Sequence, residues 1–329
     1  MMLTREYLIQ NKEVALDKAI GSLGGLAIGD SFGDAARSPE NQRDYGITTD
    51  FNKGSSWSTD DTEFALLTAE TMIKAGGDFT SEDVVTMWLR HVATEDELKR
   101  GGVSEVEACN NLRRGMRPPE SGRFNAYYLS DGAAMRSGPI GILCAGDPER
   151  AARLAEIDAS VSHHMDGVWG AQAVAVAVSL AMVDASMDEI LDAVLKTAPK
   201  GSWFRETLLR AFQIVDDAKG DIADAWMPLH YELFSTHRST VAEALPEVFG
   251  CLKLEHSSFK SGLILAGNFG RDADTIGAVA GAVLGAKYGA KGIPEKWLQK
   301  TRYPSGTCLG FTKGIDIFDR AAKLAALIK

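Results

Sequence analysis

Eight glycines stand in two rows at intervals of four: Gly21, Gly25, Gly29 and Gly33, then Gly277, Gly281, Gly285 and Gly289. Glycine inside a helix costs about 1 kcal/mol relative to alanine, so each row handicaps the helix that carries it. Positions four apart form one ridge of a helix surface, and a ridge without side chains admits a second backbone at short range. The rows therefore predict two helices packed tightly in the middle of a domain, each an available partner for the other. Neither row is a dinucleotide fingerprint, because the GxGxxG spacing and a preceding strand are both missing.

The rest of the chain reads as helix. Apolar periodicity predicts helices over 12–30, 62–76, 80–93, 131–144, 148–160 and 168–184. Further ones follow over 187–197, 203–218, 239–253, 257–267, 273–289 and 315–328. No sustained apolar–polar alternation and no Asn-Gly hairpin between β-branched runs points to strands. The stretches 33–58, 113–130 and 301–314 read as long loops. No Ser- or Pro-rich linker divides the sequence, so a single all-α domain over 1–329 is expected.

Composition narrows the function. The 35 Lys plus Arg against 45 Asp plus Glu leave a formal charge of −10, with no basic surplus to neutralise phosphates of nucleic acid or an anionic membrane. The polar opening, MMLTREYLIQNKE, is not that of a signal peptide. The longest apolar stretch, from Ala171 to Val183, is interrupted by Gln172 and Ser179 and falls short of the roughly 20 residues of a membrane span. Cys109, Cys144, Cys251 and Cys308 form no CxxC, which argues against a zinc cluster or disulfide framework and for a reduced, cytoplasmic setting.

Chemistry is concentrated at two helix starts. Ser58, Thr59, Asp60, Asp61, Thr62 and Glu63 directly precede the apolar run from Phe64, and Arg271, Asp272, Ala273, Asp274 and Thr275 directly precede the run from Ile276. Asp or Thr at an N-cap satisfies orphan N–H groups, and acidic residues suit the positive end of the helix dipole; Asp60 with Glu63 resembles a capping box. A cap needs one side-chain oxygen, however, whereas here two carboxylates crowd together twice. Crowded carboxylates repel unless a proton or cation intervenes. Oxygen-only donors suit Mg²⁺, Mn²⁺ or Ca²⁺ rather than zinc. If the clusters meet, their four carboxylates and two threonine hydroxyls suffice for two metals about 3.5–4 Å apart.

With Gly24 to Gly33 (GGLAIGDSFG), Ser58 to Thr62 (STDDT) and Asn268 to Thr275 (NFGRDADT) in that order, the chain resembles the ADP-ribosylglycohydrolase family over about residues 18–290. The resemblance implies an orthogonal multi-helix domain with a central binuclear magnesium or manganese site. It implies Thr59, Asp60, Asp61, Asp272, Asp274 and Thr275 as ligands, with Asp60, Asp61 and Asp274 holding the attacking water. The reaction implied is hydrolysis at the anomeric carbon of a ribose, removing ADP-ribose from a protein side chain or a small molecule.

Two further segments resemble the family's substrate loops. Ser130, Asp131, Gly132, Ala133, Ala134, Met135 and Arg136 match a Gly-Asn-Gly-x-x-Met-Arg stretch that lines the diphosphate and ribose, with Asp131 in place of Asn. The backbone N–H groups around Gly132, at the expected helix start, are suited to an anion, and Arg136 is either a phosphate partner or a structural ion-pair partner. Ser162 and His163 resemble a Thr/Ser-His pair near the site, with His164 alongside as a second candidate. Trp169 is placed either to stack on the adenine or to fill the core.

Two departures stand out. Where many family members carry a Glu a few residues after the Gly-Asp motif, this chain has Arg37, with Asp34 and Glu40 as nearby candidates for acid or base. Arg271 stands where many have Gly, available to balance the aspartates or to meet a phosphate. These changes keep two other readings open: a hydrolase of another N- or O-ribosyl compound, and a non-catalytic relative that binds metal and ADP-ribose.

Overall fold

The computed structural model describes residues 3–51, 57–95 and 98–329, the side chains of Pro39, Asn41 and Tyr45 excepted. In chain order the helices are α1 (Arg5–Gln10), α2 (Lys12–Asp34), α3 (Pro39–Tyr45), α4 (Asp60–Ala75), α5 (Ser81–His91) and α6 (Val103–Arg113). Then come α7 (Glu120–Arg123), α8 (Gly138–Leu143), α9 (Pro148–Ala159), α10 (Asp166–Ala181), α11 (Met187–Thr197) and α12 (Trp203–Asp217). The series ends with α13 (Ile222–Glu232), α14 (Val241–Leu254), α15 (Phe259–Gly267), α16 (Ala273–Tyr288), α17 (Glu295–Thr301) and α18 (Ile317–Ala326). Among the described residues the one β pairing is an isolated bridge between Ser130 and Thr240.

The all-α expectation holds, and the expected long helices are found with shifted ends. Helices α1, α3, α6, α7, α13 and α17 were not expected; α3 and α7 lie inside stretches read as loops, and residues 52–56 of the first stretch fall outside the described ones. Helix α13 carries Pro228 in its interior, which interrupts the sequence pattern. The expected helix 131–144 contracts to α8. One turn forms at its start, with the Met135 N–H donating to the Asp131 carbonyl (3.0 Å), but the Gly132 carbonyl accepts from the Arg136 guanidinium (2.8 Å) and regular helix begins only at Gly138. The anion-binding helix start expected at Gly132 is therefore absent.

The glycine rows meet each other. A Cβ placed on Gly21 would lie 2.3 Å from the Gly285 carbonyl oxygen, on Gly25 2.2 Å from that of Gly281, and on Gly29 1.9 Å from that of Gly277. On Gly33 it would lie 1.8 Å from the oxygen of Ala273. Helices α2 and α16 thus run antiparallel, backbone against backbone. Gly289 ends the row, its carbonyl carbon 2.6 Å from a Cβ placed on Gly21, and caps α16 at a φ of 68°. Around the pair, buried side chains such as Leu26, Phe64, Val178, Phe249 and Leu284 belong to one continuous apolar cluster. No helix of the described residues is long and apolar enough to cross a membrane.

Antiparallel packing has a direct result for chemistry. It sets the C-terminal end of α2, with Asp30 and Asp34, beside the N-terminal end of α16, where Asp272, Asp274 and Thr275 begin the helix.

Candidate metal and active site

Asp30 fastens the first acidic cluster to α2. Its carboxylate accepts from the Thr59 N–H (2.9 Å) and hydroxyl (2.7 Å), and from the Thr62 N–H (3.2 Å) and hydroxyl (2.5 Å). Burial raises the Asp30 pKa to about 6, against the pull of those hydrogen bonds. Thr59 is the N-cap of α4, accepting from the Asp61 N–H at 3.4 Å. The capping box expected between Asp60 and Glu63 does not form. Glu63 is buried and turns to another loop, where it accepts from Thr307 (2.9 Å), Cys308 (2.9 Å) and Leu309 (2.6 Å) N–H groups and from the Ser58 hydroxyl (2.6 Å).

The two acidic clusters meet. Carboxylate oxygens of Asp60, Asp61 and Asp274 lie within 4.8 Å of one another, and all three residues are buried. Oδ1 of each is buried and has no hydrogen-bond partner, and the same holds for Oδ2 of Asp274 and Oδ2 of Asp272. Burial, and then the charge of Asp274, pushes Asp60 and Asp61 well above the usual carboxylate range. Asp274 is pushed up to about 8, by burial first and Asp272 next, with Arg37 opposing. Buried anions in such contact call for a proton or a cation between them. Orphaned oxygen donors facing one another fit a hard divalent ion at the Asp60, Asp61 and Asp274 position.

The side near Asp272 is different. Arg37, on the turn after α2, sets its Nη1 2.5 Å from Asp274 Oδ2 and its Nη2 3.2 Å from Asp272 Oδ1. Arg238 brings Nε to 3.4 Å from the same Asp272 oxygen and donates to the Arg37 carbonyl at 3.1 Å. Burial lowers the Arg37 pKa, but Asp274, Asp272, Asp60 and Asp61 together outweigh it and hold the guanidinium protonated. The place where the resemblance implies a carboxylate is occupied by a cation, a guanidinium set between Asp272 and Asp274.

A cavity of about 360 Å³ opens on this cluster, lined among others by Asp60, Asp61, Glu105, Asp131, Asp272 and Thr275. Ser130 and Gly132 line it too. Asp131 is buried with Oδ2 unpartnered; burial and then Asp272 push its pKa far up. Protonated, Asp131 is a neutral donor, as the asparagine of the resemblance would be. A second cavity of about 580 Å³ lies on the far side of Arg37 and Arg238 and includes Trp226, His230, Phe269 and Arg271.

Several expected contacts are placed elsewhere. Arg136 is sealed in the core: it bonds Asp158 Oδ2 (2.7 Å), the Gly132 carbonyl (2.8 Å) and Ser162 Oγ (3.0 Å), with its guanidinium 5.1 Å over Trp88. It holds the loop and reaches no cavity, the structural alternative. His163 is also buried, linking Ser162 Oγ (2.7 Å) and Ser130 Oγ (2.9 Å), so it positions Ser130 from behind. Burial first, and then Arg136, hold its pKa well below the usual histidine value. Trp169 is half-buried against the apolar core and lines neither cavity. Asp34 is tied to the Trp57 indole (2.8 Å) and to Arg100, and Glu40 stands exposed on α3. Arg271 pairs with buried Glu243 at 2.5 Å.

Sequence reasoning missed Glu105. This residue of α6 is fully buried, and burial raises its pKa against the pull of Arg136 and Ser104. Its Oε2 accepts from the Ser104 hydroxyl at 2.9 Å, while Oε1 has no hydrogen bond and lies 4.0 Å from Arg136 Nη1. A Cβ on Gly132 would lie 2.2 Å from that oxygen, so the glycine of the 130–136 segment is what leaves it room. That steric pairing was the one available signal.

A profile described as ADP-ribosylglycohydrolase matches residues 11–328. An uncharacterized protein of Archaeoglobus fulgidus is 33% identical over 287 residues, covering 84% of this chain and 88% of that one. The ADP-ribosylarginine hydrolase Tri1 of Pseudomonas putida is 26% identical over 327 residues, covering 96% and 81%. A solved structure, an ADP-ribosylglycohydrolase-related protein complex, shares the fold with a TM-score of 0.65 at 21% identity, covering 96% of this chain and 98% of that one. With its acidic helix starts brought together in a fold of this kind, the chain belongs to the ADP-ribosylglycohydrolase family of glycosidic hydrolases.

Proposed function

We propose that the chain is a metal-dependent hydrolase that removes ADP-ribose from a protein side chain or a small molecule, acting at the anomeric carbon of the attached ribose. The observation that carries this reading is the convergence of Asp60, Asp61 and Asp274, each with an orphaned buried oxygen, beside the 360 Å³ cavity. A similar protein named an ADP-ribosylarginine hydrolase supports an amino-acid-linked substrate. Oxygen-only donors favour Mg²⁺ or Mn²⁺. Residues 1–329 are taken as a single domain in a cytoplasmic setting, in keeping with four cysteines that are buried and unpaired.

Asp60, Asp61 and Asp274 would hold a divalent ion, which when bound would supply Lewis-acid chemistry to ribose hydroxyls and an attacking water. Glu105 faces the same cavity, and burial raises its pKa, the direction that suits a general acid for the departing group. Asp131 and Ser130 line the wall, with Ser130 fixed by His163 and by Ser104 at 3.0 Å. Arg238, about two-fifths exposed, offers positive charge to the diphosphate at the cavity mouth.

The test is turnover. With Mn²⁺, ADP-ribosyl-arginine or ADP-ribosyl-serine should release ADP-ribose, and release should vanish with EDTA and in Asp60→Ala and Asp274→Ala. Glu105→Gln should lower kcat by about 10²-fold or more, the scale of a lost general acid, with KM little changed. Turnover confined to simple ribosides would instead favour a hydrolase of another N- or O-ribosyl compound, a reading motivated by Arg37 in place of the Glu.

A further inference from the structure

We propose that Arg37 stands in for one of the two cations of a binuclear centre, so that the chain binds a single divalent ion, at Asp60, Asp61 and Asp274. The inference rests on the metal-dependent reading above and changes its stoichiometry. Two groups of observations carry it.

The first is the difference between the two sides of the acidic cluster. Asp60, Asp61 and Asp274 each present a buried Oδ1 with no partner, and their oxygens gather within 4.8 Å. On the other side Asp272 Oδ2 and Asp274 Oδ2 also lack a hydrogen-bond partner, but a guanidinium already stands there: Asp274 Oδ2 is 2.5 Å from Arg37 Nη1, and Asp272 Oδ1 is shared between Arg37 (3.2 Å) and Arg238 (3.4 Å). A metal held by Asp272 and Asp274 there would displace a guanidinium or sit against it. Arg37 has no easy retreat: its side chain is about three-quarters covered, and it follows α2 by a tight turn in which its N–H meets the Asp34 carbonyl at 3.4 Å.

The second is charge. When ionised, as metal ligands must be, Asp60, Asp61, Asp272 and Asp274 put four negative charges into a buried site. Two divalent ions balance four charges; so do one divalent ion and the two guanidinium groups of Arg37 and Arg238. The chain supplies the second arrangement from its own residues. A permanent guanidinium fixes charge without needing a ligand shell, since arginine stays protonated under all ordinary conditions. The substrate ribose would then be held between one metal ion and an arginine fork.

Metal stoichiometry tests this without reference to turnover. Metal-stripped protein is dialysed against Mn²⁺, the bound ion is counted by elemental analysis, and the electron paramagnetic resonance spectrum is recorded. One Mn²⁺ per chain with the sextet of an isolated ion is expected. Arg37→Glu should take up a second Mn²⁺ and show an exchange-coupled spectrum; Arg37→Gln, close in size but neutral, should admit a weaker second ion. Two coupled ions in the unmodified chain would overturn the inference and leave the hydrolase reading standing. No bound Mn²⁺ at all would overturn both. A single ion in each correctly folded Arg37 variant would overturn the role given to Arg37.

Discussion

At Arg271 the backbone takes a φ of 57°, in the left-handed region that favours glycine. The arginine is kept there for its charge. Its guanidinium meets Glu243, which has no exposed surface, and donates to the Ser235 carbonyl at 2.8 Å. Arg271→Gly relaxes the backbone by about 1 kcal/mol but strips a buried carboxylate of its cation, a loss of about 3–5 kcal/mol. Urea denaturation should therefore show a net destabilisation of roughly 2–4 kcal/mol, largely recovered when Glu243→Gln is added. Departures such as Arg37 and Arg271 could be picked out in the sequence by their residue type alone. What they touch could not, because Arg37 reaches Asp272 and Asp274, and Arg271 reaches Glu243, from distant parts of the chain.

Among helices, the pair α2 and α16 sets everything else. Gly29→Ala would drive a methyl group to 1.9 Å from the Gly277 carbonyl oxygen, and that neighbour is backbone, with no side chain to turn aside. Overpacking usually costs about 1–3 kcal/mol; here the loss should reach or exceed the upper end, seen as a large fall in Tm or as insoluble protein. Gly138→Ala on α8 is the control: its methyl group would meet only the Leu26 side chain at 3.3 Å and the Ala282 side chain at 3.5 Å, so Tm should move little. These elements were legible in the sequence because a four-residue interval is a local signal with one geometrical meaning. The acidic helix starts were legible for the same reason. Helix α6 was not, since Val103–Arg113 carries charged and polar residues on much of its length, and with it Glu105 was lost from view. Residues 131–136 misled because the Gly132 carbonyl accepts from the Arg136 guanidinium, an alternative to the helical bond that apolar periodicity does not register.

Across the molecule, the acidic centre links stability to metal and pH. Asp30 and Asp274 have folded pKa values of about 6 and about 8, both above the ordinary 3.8. Without metal, the stability tied to these protons is complete below the ordinary value and is lost as pH rises through about 6 and then about 8. Protons and metal compete for the same oxygens. The gain in Tm on adding Mn²⁺ should therefore be small near pH 5 and grow through pH 8, and Asp274→Asn should flatten that growth in calorimetric scans. At saturating metal the gain corresponds to about 2.7 kcal/mol for ion at a hundred times its Kd. The antiparallel glycine contact gives this centre one more property. Ridges that repeat every four residues also mesh when one helix slides by four residues, about 6 Å along its axis. Such a slip would preserve helix content and much of the burial, yet carry Asp30 and Asp274 apart and dissolve the centre. A chain trapped in that alignment would be folded by most optical measures and inert, and only the correct alignment can hold the ion. Uptake of the proposed ion would thus be a vernier reading of how the two central helices came together.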